Sequence, residues 1–423
     1  MKAHYFTLLI FSFILVSLGV NAQSAKAIIL VYLDGGPSQT DTFDPKLEVT
    51  RDFSGLFRDP IETNIPGVYI NQKFPLLAKL TDKYSLIRSM THGINGHETA
   101  HYAMITGDMT GGSVVYPSFG TVISYLNKDK YKGLLPPYVS LVAANSRFNE
   151  GGFLGNDYKS FETNGQPEKS IFEVDGIVNR LVNKVELNKR LTLLSQMEQA
   201  NSLSNQTKSL TVVDSLRKRN SSLLFGKLTE VFDLNAESKE LRERYGMTRI
   251  GQSCLVARKL VEAGVLVVNV RTTGWDTHKS HFVKMNEMLP ELDKALSALL
   301  TDLSEKGLLE STIVVCGGEF GRTPKVQYEA PWNGGRTHFG QAFSYLVAGG
   351  GFIPGKVIGA TDKTGENIVD RKVYPSDFIA TLYTLLGIKL DATLPHASEG
   401  NLPILPSYGK ANQSNGLLKE LIK

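Results

Sequence analysis

The chain has 423 residues, with 46 Lys and Arg against 42 Asp and Glu and a formal net charge of +4. The two signs are interspersed, which argues against the basic surface of a nucleic-acid-binding protein. A chain of this length supports one large α/β domain without forcing a division.

The first residues, MKAHYFTLLIFSFILVSLGVNAQ, give a basic start, a short apolar core and the small-residue site Val20-Asn21-Ala22. That order predicts a signal peptide over residues 1–22 and a mature chain, 23–423, in the periplasm or the medium. No later stretch approaches the roughly 20 apolar residues that a membrane span needs, so no stable span is expected.

Ile28 to Leu33 reads as a buried strand that stops at Asp34 and opens into Gly35-Gly36-Pro37. Open α/β sheets place ligands at such strand ends, so Asp34 is the first candidate site residue. The plainer alternative is that Asp34 and Asp41 cap turns. Residues 52–68 read as loop, Phe74 to Leu80 as a short helix and Tyr84 to Ile87 as a strand. In HGINGHETAHYAMITG, His97 and His101 stand four apart and share a face if the segment is helical. Tyr138 to Val142 follows Pro136-Pro137 as another strand, and residues 145–166, rich in Asn, Gly and Ser, suggest a surface excursion. Ser170 to Tyr245 is long, polar and mostly helical with a thin apolar stripe, as a helical insertion would be.

Arg249 to Ala263 is a helix leading to the strand Val265 to Val270, and Phe282 to Lys306 a helix leading to Thr312 to Cys316. This alternation predicts a three-layer α/β/α sandwich about a mostly parallel sheet. Ser344 to Ala348 is a late strand, Pro375 to Leu386 a closing helix with Pro at its start, and the residues from Asn412 a tail. Of the two cysteines, Cys254 falls in a helix and Cys316 at a strand end. Export permits one disulfide between them, with two buried free thiols as the alternative.

Three strand ends run into polar, Gly-punctuated segments, and the candidate ligands are Asp34, His97, Asp276, His278, Glu319 and His338. Carboxylates with imidazoles suit one or two borderline divalent ions such as Zn or Mn. A metal pair can clamp the attacking and leaving oxygens of a transferred phosphoryl or sulfuryl group. Each piece alone has a bland reading: Asp276-Thr277-His278 as a solvated turn, Glu319 as a partner of Arg322.

Taken in order, LDGGPSQTDTFDPK, HETAHYAMITG, GWDTH, GGEFGRTP, GGRTHFGQAF and YLVAGGG resemble a secreted bacterial family, domain-of-unknown-function family 1501. That family is grouped with the alkaline phosphatase and sulfatase superfamily. The resemblance spans nearly the whole mature chain and implies an alkaline-phosphatase-like fold. It also implies an exported, metal-dependent hydrolase of a phosphate or sulfate ester, on a small molecule or a glycan. Asp34 is similar to the superfamily's first metal carboxylate. Asp276 with His278 resembles its later ligands, His281 keeps that assignment open, and His338 resembles its last metal histidine.

Two departures stand out. Where the superfamily has Ser-Asp-His-Gly, this chain has Gly318-Glu319-Phe320-Gly321, and at the nucleophile's offset before Thr106-Gly107 it has His97. Neither cysteine has the sequence context of a formylglycine sulfatase, and Thr99 is the nearest hydroxyl. One account covers both departures: His97 supplies the imidazole missing at Phe320, Asp34, His97 and Glu319 make a second metal site, and metal-activated water is the nucleophile. The alternative is a dead second site with His97 packed or capping. Arg322 and Arg336, on Gly-flanked loops, are candidates for holding an anionic group, with structural pairing as the alternative. A non-catalytic secreted binding or assembly protein, and a membrane-anchored transferase of a phospho-group, are the competing classes. Oligomeric state is not legible at this level.

Overall fold

The computed structural model describes residues 25–141, 150–175, 177–178, 189 and 227–423. The signal peptide expected over residues 1–22 and most of the expected insertion lie outside the described residues.

Eight strands form the main sheet: β1 (Ala27–Leu33), β2 (Tyr84–Met90), β3 (Tyr138–Ser140), β4 (Phe161–Glu162), β5 (Val267–Thr272), β6 (Thr312–Gly317), β7 (Phe343–Ala348) and β8 (Val357–Ile358). Their order across the sheet is β8-β2-β7-β6-β1-β5-β3-β4. Every neighbouring pair is parallel except the two made by β7, with β2 and with β6. The antiparallel sense of β7 follows from its connection. The chain from β6 returns through residues 318–342, which contain only two-residue strands and no crossover helix, whereas a parallel neighbour needs a crossover, usually helical.

β1 shows why the fold has three layers. Ile29, Val31 and Leu33 enter one core, while Ile28, Leu30 and Tyr32 enter another. A strand apolar on both faces has to be covered on both. The helices flanking the sheet are α1 (His97–Thr106), α2 (Phe119–Leu126), α3 (Arg249–Glu262), α4 (His281–Glu305) and α5 (Pro375–Leu385). α3 and α4 supply Leu255, Leu260, Leu292 and Leu296 to the first core; α1, α2 and α5 supply Met104, Val122 and Ile379 to the second. The expected α/β/α sandwich with a mostly parallel sheet is therefore the observed architecture.

Several local expectations change. Residues 150–166 do not merely pass over the surface: Phe161–Glu162 pairs in parallel with β3 as the edge strand, which covers backbone groups that an open edge would expose. The tail from Asn412 is tied down, because Asp377 accepts from Ser414 Oγ and from the amides of Asn415 and Gly416, and Leu418 and Leu421 are buried. Cys254 and Cys316 are both buried and free, so the disulfide alternative gives way to two thiols. Among the described residues no helix is long and apolar enough to cross a membrane.

Candidate metal centre

β6, β1 and β5 are adjacent and parallel, so Glu319, Asp34 and Asp276 follow strands that end on the same edge of the sheet. β2 runs in the same direction and leads to His97 at the start of α1, while the reversed β7 begins at that edge, just after His338. Topology alone thus gathers the loops that carry the candidate ligands.

Asp276 is the hub. Its Oδ1 lies 3.1 Å from His278 Nε2 and 3.2 Å from His338 Nε2, and its Oδ2 lies 3.3 Å from His97 Nε2. The two imidazole nitrogens of His278 and His338 are 2.9 Å apart. Atoms sharing one ion at bonds of about 2.0–2.2 Å keep separations close to these. His97, Asp276 and His338 offer ligand atoms that all fall within 4.8 Å of one another. His338 Nδ1 donates to the Asn95 carbonyl at 2.7 Å, which turns Nε2 toward Asp276. A second bond of this kind is what orients a metal-ligating histidine.

The electrostatics suit a cation. Burial would raise the Asp276 carboxyl, but bonds from His338, His97 and Arg322 hold it well below the carboxylate range. His97 is pushed up to about 9, first by its bond to Asp276 and then by Glu319, and burial lowers His278.

Glu319, 1% exposed, accepts from the Gly35 amide at 2.9 Å and bonds His97 Nδ1 at 2.6 Å. Asp34 faces the same cavity, of about 330 Å³, with Oδ2 bonded to Arg271 Nη2 at 2.9 Å. The structure therefore joins His97 to the Asp276 cluster and leaves Asp34 outside that group. Phe320 is buried beneath two of the imidazoles, its ring centroid 5.0 Å from that of His97 and 4.6 Å from that of His338.

Three candidates are corrected. Arg322 is fully buried and donates to the carbonyls of Gly35, Gly36 and Arg336 and to Asp276, so it positions Asp276 and does not face a ligand. Arg336 is likewise fully buried, bonded to Asp41 and to the carbonyls of Thr323, Pro324 and Phe53. Thr99 is exposed, with its hydroxyl on the Gly96 carbonyl, and does not line the cavity. His281 is also removed from the ligand set: it is buried between Asp41 and Thr277.

Sequence reasoning missed four participants. Asn95 orients His338; His92 Nε2 donates to the Glu319 carbonyl at 2.6 Å while its Nδ1 accepts from Ile94; Arg271 holds Asp34; and Thr273 lines the cavity. His92 was visible in the quoted HGINGHETAHY run, whereas a carbonyl or a lone Arg at a strand end gives no sequence signal.

Two buried histidines predict an acid limb of stability. Burial lowers His92 and His101 to about 4 each, against about 6.5 in the unfolded chain. Above pH 6.5 both states are neutral; below it the unfolded chain binds protons that the folded one refuses, so stability falls from pH 6.5 toward 4. The loss is expected to reach on the order of 2–3 kcal/mol per histidine. Denaturant unfolding at pH 7 and pH 4.5 checks it, and His101→Gln is expected to show a shallower fall. No dependence on pH across that window would contradict this assignment.

Compared with known proteins, residues 25–404 match the family model DUF1501, described as a protein of unknown function. No protein of curated function matches the sequence. Among solved structures, the lipoteichoic acid synthase LtaP from Listeria monocytogenes is similar at 12% identity and a TM-score of 0.40, over 90% of this chain and 75% of that one. A protein in the alkaline phosphatase superfamily from Vibrio parahaemolyticus is similar at 12% identity and a TM-score of 0.39, over 86% and 67%. The phosphonate monoester hydrolase SpPMH from Silicibacter pomeroyi is similar at 10% identity and a TM-score of 0.40, over 92% and 78%.

Proposed function

The chain belongs to the DUF1501 family of proteins of unknown function, and we propose that it is an exported, metal-dependent hydrolase of a phosphate or sulfate ester, with water as the nucleophile. The observation that carries this reading is the convergence of His97, Asp276 and His338 at one sheet edge, with His278 Nε2 beside them.

The donor set of imidazoles and carboxylate fits Zn or Mn. A cation bound there supplies Lewis acidity, polarising an ester oxygen and making water a competent nucleophile near neutral pH. The chain's own residues set up the rest. Arg322 and the Asn95 carbonyl fix Asp276 and His338, and Phe320 packs against the imidazoles of His97 and His338. His97 sits between two carboxylates, Glu319 and Asp276, which favour its protonated form near neutral pH.

Metal analysis of the purified protein beside turnover of aryl phosphate and aryl sulfate esters tests the reading. His97→Ala is expected to lose bound metal and esterase activity together, while Thr99→Ala retains both. Thr273→Val separates water from a side-chain nucleophile: retained turnover supports water, and loss of turnover with metal still bound makes Thr273 the nucleophile and overturns that part of the mechanism. Metal without turnover of either ester would return the protein to the class of secreted binding proteins.

A further inference from the structure

The mechanism above leaves Arg271 without a task. It lies near the end of β5, in register with Tyr32 of β1, and lines the same cavity as Asp34 and Asp276. It is 7% exposed. A guanidinium carries five N–H donors in a planar fork. Nη2 donates to Asp34 Oδ2, while Nε and Nη1 have no hydrogen-bond partner among the described residues. A buried group with so many unmet donors needs a reason.

The contrast with the two neighbouring arginines sharpens the point. Arg322 and Arg336 are anchored by backbone carbonyls on several sides. Arg271 is held by Asp34, itself a candidate cation ligand, so one bond has to give way for the fork to turn into the cavity. Among the described residues it is also the one Lys or Arg lining the cavity, beside the carboxylates Asp34, Glu98, Asp276 and Glu319. That excess of negative charge repels an anion from the metal-free cavity and favours one once a divalent cation is present.

We propose that Arg271 is the oxyanion anchor of this cavity: with a cation at the Asp276 centre offsetting the cavity's carboxylates, the guanidinium exchanges its bond to Asp34 for a tetrahedral oxyanion, phosphate or sulfate, and the two bind cooperatively. The inference rests on the metal-centre reading. A planar fork suits such an anion because it can donate two parallel bonds at once. Linkage then requires the anion to tighten the cation by the same factor as the cation tightens the anion.

The test is Mn2+ affinity, read from the electron paramagnetic resonance signal of free Mn2+, with and without inorganic phosphate and, separately, sulfate. For the wild-type protein at least one anion is expected to tighten Mn2+ by about tenfold, and the stronger one names the ester. Arg271→Gln is expected to reduce that coupling to less than about twofold. Arg271→Lys keeps the charge and loses the fork, so its coupling should be intermediate, and it carries the test if the Gln variant misfolds by circular dichroism. Mn2+ binding with no anion coupling in the wild type, or with coupling intact in Arg271→Gln, overturns the role of Arg271 and leaves the metal centre standing. Failure of the wild-type protein to bind Mn2+ overturns both.

Discussion

Replacing Asp276 by Asn is expected to strip the divalent cation from the protein, lowering affinity about a hundredfold or more. Loss of a residue that merely orients a ligand already weakens a metal site by about 10- to 100-fold, and Asp276 touches three imidazoles at once. Metal analysis after dialysis, followed by Mn2+ titration, reads the effect. The amide keeps an oxygen for Arg322 while removing the charge, so the fold should survive. Asp276→Ala removes both and leaves the fully buried Arg322 without its carboxylate. It is expected to destabilise the protein by about 2 kcal/mol, below the 3–5 typical of a fully buried pair, because the Asp276 side chain is 43% exposed. Full metal content in the Asn variant would mean that the imidazoles and Glu319 hold the ion without the hub.

The second large effect concerns stability, away from the cavity. Asp41 is 1% exposed and bonds two fully buried groups, Arg336 Nη2 at 3.1 Å and His281 Nε2 at 2.8 Å. Burial alone would raise its carboxyl; Arg336 and His281 overcome that and hold it at about 2. Asp41→Ala strands a guanidinium in the interior, so a loss of about 3–5 kcal/mol is expected, read as a fall in denaturant midpoint with an unchanged slope. The same change should loosen the metal centre. Arg336 lies two residues before His338, and its carbonyl accepts from Arg322, which holds Asp276. A loss below about 1 kcal/mol would show that the buried pair is offset by apolar repacking.

Period and punctuation made the sheet legible. The β-branched runs at Ile28 and Val265, each closed by a polar Gly-rich turn, were placed within a few residues, because a strand buried on both faces leaves a continuous apolar run. The late strand was visible in the run from Ser344, but not its direction, since strand sense depends on a connection and not on composition. Asp276, His278 and His338 were nameable because acids and histidines among glycines have little core to fill. The roles of the arginines were not. In sequence Arg322 and Arg336 sit beside the presumed ligands and Arg271 does not, yet depth below the surface reverses the order: two are locked inside, and the third faces the cavity. Thr99 is the nearest hydroxyl along the chain, but a helix turns successive residues through about 100°, and Thr99 is exposed outside the cavity's lining.

The turn at Gly35-Gly36 has a consequence for how this protein can evolve. Both residues have positive φ. A Cβ at residue 35 would lie 2.3 Å from the Asp276 amide nitrogen, and one at residue 36 would lie 2.5 Å from the Phe320 ring. Either methyl would push apart loops that must agree to within a fraction of an ångström, and a misplacement of about 1 Å can lower a rate by about a hundredfold. Selection at these two positions therefore acts on volume rather than on chemistry. No polar, charged or apolar replacement is conservative there, and a lineage that abandons the reaction should be recognisable by side chains accumulating at 35 and 36 while the strand before them stays intact.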